Sequence, residues 1–180
     1  MNTPFIAIVP ARAASTRLPG KMLLDVAGLP LVVRTAQQAS QSQASRLIVA
    51  TDDLQILEAV QAHQFEAMLT RADHPSGTDR LAEVVTTLDL DDEQIIVNVQ
   101  GDEPLIDPEL INQVAASLAV NPQASIATCA YPIQSSKALF NPNIVKVVCD
   151  VNQRALYFSR APIPWARDAF SKDKSLLPKD

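Results

Sequence analysis

Short apolar runs alternate with amphipathic segments along most of this chain, and that alternation restricts the fold more than any other feature. Phe5 to Val9 (FIAIV), Arg46 to Ala50 (RLIVA) and Ile95 to Val99 (IIVNV) are rich in β-branched residues and apolar at successive positions. Strands buried on both faces of a parallel sheet read this way. Elsewhere Leu81, Val84, Val85 and Leu88 fall at i, i+3, i+4 and i+7, as do Ile111, Val114, Ala115 and Leu118, the spacing of one apolar helix face. Asp107 precedes Pro108, a cap residue before a first-turn proline, and Thr51-Asp52-Asp53 offers capping oxygens ahead of Ile56 and Ala59. The β-α order predicts an α/β fold, a mainly parallel sheet with right-handed crossovers and helices on both faces. On such sheets ligands bind outside the carboxyl ends of the strands, so the loops that follow the strands are where chemistry is expected.

After about Ala124 the pattern changes. Ser125 to Tyr131, Ile144 to Val151 and Ala155 to Ser159 read as strands with little helix between them, which predicts an antiparallel extension or the start of an oligomerisation lobe. The boundary divides the chain into residues 1–123 and 124–180. The tail from Asp168 to Asp180 is polar and charged and is assigned no structure. Cys129 and Cys149 each sit in one of these apolar runs and are expected to be small buried hydrophobes rather than a disulfide or a metal pair. The net charge of −5 argues against a general nucleic-acid binder, whose affinity rests on many basic residues meeting phosphates. No signal-peptide pattern or membrane-length apolar stretch is present, so a soluble, cytoplasmic protein is expected.

Three loops stand out. From Pro10 to Leu24 the chain carries Arg12, Arg17 and Lys21 and no carboxylate, despite an overall acidic excess. Arginine forks onto phosphate oxygens, lysine acts as a mobile point charge, and Ser15 or Thr16 adds hydroxyl donors, so this loop suits a triphosphate; a solvated surface loop is the alternative. It lacks the glycines of a dinucleotide-binding or Walker A loop, which disfavours dehydrogenases and P-loop kinases. His74-Pro-Ser-Gly-Thr-Asp-Arg80 opens a helix. There Ser76 and Asp79 resemble a capping box, while the same helix start could hold an anion or read a base. Val99-Gln-Gly-Asp-Glu-Pro104 follows a strand directly. Its carboxylates suit Mg²⁺ beside substrate phosphates, with a turn stabilised by Asp102 as the bland reading. Together, a basic loop after one strand and a Gly-Asp-Glu loop after another fit a triphosphate with a divalent metal.

At these residues the sequence resembles a known family. The run A-R-x-x-S-T-R-L-P-G-K from Ala11 to Lys21 is similar to the signature of cytidylyltransferases that activate keto-acid sugars. T-R-A-D-H-x-S-G-T-D-R from Thr70, N-V-Q-G-D-E-P from Asn98, F-N-P-N-x-V-K-V-V from Phe140 and A-L-Y-F-S-R-A-P-I-P from Ala155 narrow it. Together they resemble the cytidylyltransferases acting on 3-deoxy-manno-octulosonate (Kdo), in register to about Asp168. Met22 departs from the usual proline after the lysine, which reads as conformational tuning.

The resemblance implies a nucleotide-diphospho-sugar transferase-like fold, a homodimer, dependence on Mg²⁺, and reaction of CTP with Kdo to give CMP-Kdo and pyrophosphate for lipopolysaccharide synthesis. Residues 1–123 would be the nucleotide-binding domain, and 124–180 the incomplete start of a sugar-binding and dimerisation extension. Arg12, Ser15 and Lys21 would hold the CTP phosphates; Pro10, Ala11, Ser76 and Arg80 would surround the cytosine, with Gln100 near the nucleotide. Asp102 would bind the metal and, with Arg12 and Lys21, form the catalytic set. Arg160 and Arg167 would face the acidic sugar. Family chains continue for roughly a further third, bringing a His-containing strand, a Glu-Gln pair for the sugar and a second metal-binding Asp. On that reading the residues to Asp180 are expected to keep a nucleotide pocket and to lack useful turnover. Competing readings are a cytidylyltransferase for sialic acid, a metal-dependent glycosyltransferase using Asp102 and Glu103, and a catalytically dead binding module.

Overall fold

In the computed structural model, which describes residues 4–14 and 18–173, the first apolar run forms β1 (Phe5–Ala11) at the centre of a sheet. Chain order continues through a 3-10 turn (Lys21–Leu23), a small antiparallel pair of β2 (Asp25–Val26) and β3 (Leu29–Pro30), and α1 (Leu31–Ala39). Next come β4 (Arg46–Thr51), α2 (Leu54–Ala62), β5 (Glu66–Leu69), α3 (Gly77–Thr87), β6 (Ile95–Asn98) and α4 (Pro108–Ala119). The sheet order is β5-β4-β1-β6 with every neighbouring pair parallel, so all four strands end at one edge.

Alternation along β1 divides the core in two. Phe5, Ala7, Val9 and Ala11 join Val49 and Val97 with Val32, Val33 and Ala36 of α1, Ile56 and Val60 of α2, and Ile111 and Ala115 of α4. Ile6 and Ile8 turn to the other face, where Ile48 and Ala50 meet Leu81 and Val84 of α3. Successive strand side chains point to opposite faces, so a run apolar at every position needs helices on both, and it has them. The caps follow the sequence: Asp53 accepts the Ile56 N–H at the start of α2, Ser76 the Asp79 N–H at α3, and Asp107 the Glu109 N–H at α4, where Pro108 occupies the first turn. β5 is an element the apolar pattern does not announce, since EAML holds no β-branched residue; its pairing with β4 carries it.

Two compact units divide the chain, Met1–Thr128 and Cys129–Asp180. The second contains α5 (Ser136–Phe140), the antiparallel pair β7 (Lys146–Cys149) and β8 (Ala155–Ser159), and α6 (Arg167–Phe170). β8 occupies its whole expected range, whereas β7 is shorter than Ile144 to Val151. Three expectations fail here. Ser125 to Tyr131 forms no strand: no neighbouring strand accepts its backbone, and Ile126 is 81% exposed. Cys129 and Cys149 are both free and exposed, because one lies in that unpaired stretch and the other on a two-stranded sheet too small to cover both faces. The charged tail contributes α6, since Phe170 is buried in edge-on contact with Phe140 and Trp165; one aromatic anchor outweighs the surrounding polarity. Lys146 is also buried, its ammonium donating to the carbonyls of Asn141, Ile144 and Arg160 at 3.0, 2.7 and 2.5 Å. Among the described residues no helix is long and apolar enough to cross a membrane.

The two-faced burial of β1 makes a direct expectation. Ile8 is fully buried between the sheet and α3, so Ile8→Ala should cost about 2–5 kcal/mol of stability. Urea unfolding followed by circular dichroism measures it, and a loss well under about 1 kcal/mol would contradict the packing described.

Candidate active site

Where β1 ends, its backbone leaves the core beside two turns that approach it closely. Gly101, in the turn after β6, lies so near that an added Cβ would sit 2.7 Å from the Pro10 carbonyl oxygen. Gly77, at the first position of α3, has the Pro10 ring 3.5 Å from where its Cβ would be. Thr35, buried in α1, donates its hydroxyl to the Gly101 carbonyl at 2.9 Å, fixing the turn from below. Gly20 takes a positive φ of 67° and starts the 3-10 turn that presents Lys21, a conformation glycine adopts without a Cβ clash.

These approaches enclose a cavity of about 460 Å³ lined by Pro10 and Arg12, by Leu18, Lys21 and Met22, by His74 to Gly77 and Arg80, and by Gln100 to Asp102. That size lies in the range of small-molecule sites. Seven of the residues singled out in the sequence meet there: Pro10, Arg12, Lys21, Ser76, Arg80, Gln100 and Asp102. Ala11 does not line it; its side chain is buried in the core with Val9. Ser15 and Arg17 lie outside the described residues. Arg160 and Arg167 belong to the second unit, where Arg160 donates to the Pro142 carbonyl at 2.9 Å and Arg167 to Asp168 at 2.7 Å.

The charges in the cavity are held in two different ways. Lys21 Nζ lies 2.6 Å from Asp102 Oδ2, both side chains partly open to solvent. Such a pair contributes little to stability, about 0–1 kcal/mol, and exchanges partners readily. Arg80 is 3% exposed; it pairs with Asp52 at 2.8 Å and donates a second N–H to Thr70 Oγ1. Thr70 in turn donates to the Thr51 carbonyl. Among the described residues Arg12 has no ion-pair partner, so it and a displaced Lys21 are the cations open to an anionic ligand.

Around α3 the ambiguous loop resolves into a cap that also lines the cavity. Ser76 accepts the Asp79 N–H at 3.2 Å and gives its hydroxyl to the Asp79 carboxylate. Upstream, Glu83 gathers the loop from one turn further along the helix, taking the Arg71 N–H at 3.0 Å and a hydrogen bond from the His74 ring. The bond from His74, reinforced by the Arg71 N–H, holds the Glu83 carboxyl below its ordinary 4.5, against a desolvation that pushes it up. Sequence reasoning missed Asp52, Thr35, Thr70 and Glu83. For Asp52 a signal existed in Thr51-Asp52-Asp53, but only Asp53 caps α2.

Among the described residues no cluster of three or more His, Cys, Asp or Glu side chains is arranged to hold a metal. A lone Asp102 still fits Mg²⁺, which typically takes one or two carboxylates and completes its shell with phosphate oxygens and water.

Most of the chain resembles proteins of known class. Residues 6–178 match the family profile described as cytidylyltransferase. A solved structure of CMP:2-keto-3-deoxy-manno-octonic acid synthetase in complex with CTP is 39% identical, with a TM-score of 0.81, over 93% of this chain and 68% of that one. A cytidylyltransferase from Leptospira borgpetersenii is 25% identical, with a TM-score of 0.52, over 67% of this chain and 50% of the other. A nucleotidyl transferase from Methanothermobacter shares the fold at 20% identity and a TM-score of 0.54, over 63% and 57% of the two chains.

The depressed Glu83 titration sets a pH signature. A carboxyl whose folded pKa is lowered contributes stability above its unfolded pKa and loses it as pH falls through the folded value. Glu83→Gln should therefore be less stable than wild type at neutral pH, with the gap closing as pH drops below the ordinary 4.5. Urea midpoints of both proteins between pH 7 and pH 3, roughly the span over which a lowered carboxyl titrates, measure it; a gap that persists unchanged at the acid end would refute the assignment.

Proposed function

This chain belongs to the cytidylyltransferase family, and from that premise we propose that it couples CTP to Kdo, forming CMP-Kdo and pyrophosphate for lipopolysaccharide synthesis. The observation that carries the reading is the convergence of Arg12, Lys21, Ser76, Gln100 and Asp102 on one cavity at the carboxyl edge of the sheet. The 39% identity to a CMP-Kdo synthetase bound to CTP supports the choice of both substrates.

In this reading the anomeric hydroxyl oxygen of the sugar attacks the α-phosphorus of CTP in line. The bond from that phosphorus to the bridging oxygen breaks, and pyrophosphate leaves with the electron pair. The protein acts by positioning and charge neutralisation rather than through a covalent intermediate. Arg12 and Lys21, with Ser15, hold the phosphates. Pro10, Ser76, Arg80 and Gln100 surround the nucleoside, and Ala11, buried in the core, lies behind them. As Lys21 turns to phosphate it gives up Asp102, and that carboxylate becomes free for a hard cation. Mg²⁺, when bound, supplies further neutralisation of the phosphate oxygens, and Asp102 is the residue that would hold it.

Residues 1–123 then form the nucleotide-binding part, and 124–180 the start of the sugar-binding and dimerisation part. Arg160 and Arg167 would pair with the sugar carboxylate, because guanidinium forks onto carboxylate. The exposure of Val151, Leu156, Tyr157 and Phe158 around β7 and β8 supports a homodimer, since apolar surface of this kind is normally covered. In this reading the enzyme works in the cytoplasm; no helix among the described residues is long and apolar enough to cross a membrane.

Pyrophosphate release from CTP with Kdo, compared with sialic acid, tests the reading in the protein at its full natural length. Turnover with Kdo is expected, and release with sialic acid alone would transfer the assignment to that sugar. Asp102→Asn should reduce turnover by orders of magnitude, since a neutral amide is a poor ligand for a hard cation; near-wild-type rates would remove Asp102 from the metal site.

Kinetics of two further variants separate the halves of the site. Lys21→Ala should raise the KM for CTP or slow the chemical step. Arg160→Ala should raise the KM for the sugar and leave CTP binding unchanged. An exchange of the two effects would show that the roles are misassigned.

A further inference from the structure

Neither the fold nor the reaction requires a buried acid between β4 and the loop after β1, yet Asp52 is there. Its side chain is 8% exposed and makes one tie with each oxygen. Oδ1 accepts the Ala13 N–H at 2.9 Å. Oδ2 accepts from Arg80 at 2.8 Å. Ala13 directly follows Arg12, the cation that points at the phosphates in the proposed function. Arg80 comes from the first turns of α3, beside Ser76 and Gly77, and lines the same cavity. Capping does not explain Asp52, since the start of α2 is served by Asp53.

We propose that Asp52, with Thr70 as its second support, is a positioning residue that couples the phosphate loop to the nucleoside-facing start of α3. The inference rests on the reading that this cavity takes CTP. One carboxylate fixes both the backbone that aims Arg12 and the guanidinium that forms the opposite wall. Thr70 holds the other guanidinium nitrogen and is itself tied to the end of β4. Buried ion pairs are poor sources of net stability, because desolvation offsets most of the attraction, while removing one partner leaves an uncompensated charge. A pair placed at this junction therefore acts on geometry: it sets the distance between two cavity walls that belong to different loops.

Asp52→Asn tests the coupling. Ala13 and Arg80 donate to different oxygens of Asp52, so an amide in the same place keeps an oxygen toward one of them and turns its NH₂, a donor, toward the other. Calorimetry with CTP and steady-state kinetics on the full-length protein, with folding checked by circular dichroism, should show CTP binding weakened about tenfold or more. The KM for the acidic sugar should stay within about twofold of wild type. A role confined to holding the fold together would lower the folded fraction and leave the KM for CTP unmoved, and that result would overturn the proposal. If Asp52→Asn does not fold, Thr70→Val reads the same coupling from the other support. It removes the hydroxyl under Arg80 and leaves both Asp52 contacts in place, and it should raise the KM for CTP by about threefold; a wild-type value would overturn the proposal as well. Wild-type protein that fails to bind CTP would instead overturn the assignment of the cavity, and this inference with it.

Discussion

β1 exchanges backbone hydrogen bonds with β4 along one edge and with β6 along the other, and its side chains are buried on both faces. It can neither slide nor rotate without exposing apolar surface, because a shift of one residue would send each buried side chain to the opposite face. Everything at the carboxyl edge inherits that constraint. Parallel pairing brings the ends of β4, β5 and β6 to the same side, and the loops that leave them are therefore neighbours by topology rather than by their own affinity. Pro10 is where this fixed strand meets the site: its carbonyl confronts Gly101 and its ring confronts Gly77.

Two ion pairs divide the work at this edge according to their burial. The Arg80–Asp52 pair is withdrawn from solvent and braced by Thr70 and the Ala13 N–H, so its geometry is permanent. The Lys21–Asp102 pair is half open, so water and salt screen it and either member can take a new partner. The Lys21–Asp102 contact thus keeps the working charges of the cavity together, and an anionic ligand arriving with a cation can satisfy both at once. Rigid walls with exchangeable contents follow from burial alone.

The parts of this architecture that were legible in the sequence are those where local pattern and tertiary environment agree. FIAIV and IIVNV read as two-faced strands because they are buried on two faces; Ser76 and Asp107 read as caps because capping depends on neighbours a few residues away. β5 was hidden because EAML has no strand-like composition and is held by its pairing with β4. Ser125 to Tyr131 erred in the opposite direction, strand-like in composition but without a partner strand. Arg12, Lys21 and Asp102, which line the cavity, were legible because charges in loops at strand ends draw attention, whereas Pro10, Arg80 and Gln100 were named only through the family resemblance. Asp52, Thr35 and Glu83 were not legible, because what distinguishes them is a contact across 39, 66 or 12 positions of chain, which no local pattern records.

Gly101 carries a consequence for heritable variation. Any other residue there would bring a Cβ to 2.7 Å from a carbonyl of β1, and β1 is held from both sides, so neither backbone has room to yield. A codon change at this position therefore has no mild outcome, while the flanking Gln100, Asp102 and Glu103 are exposed and their side chains can be exchanged without disturbing the turn. Two unlike constraints therefore meet at this corner of the sheet: Asp102 is held by the chemistry it displays, and Gly101 by the side chain it lacks.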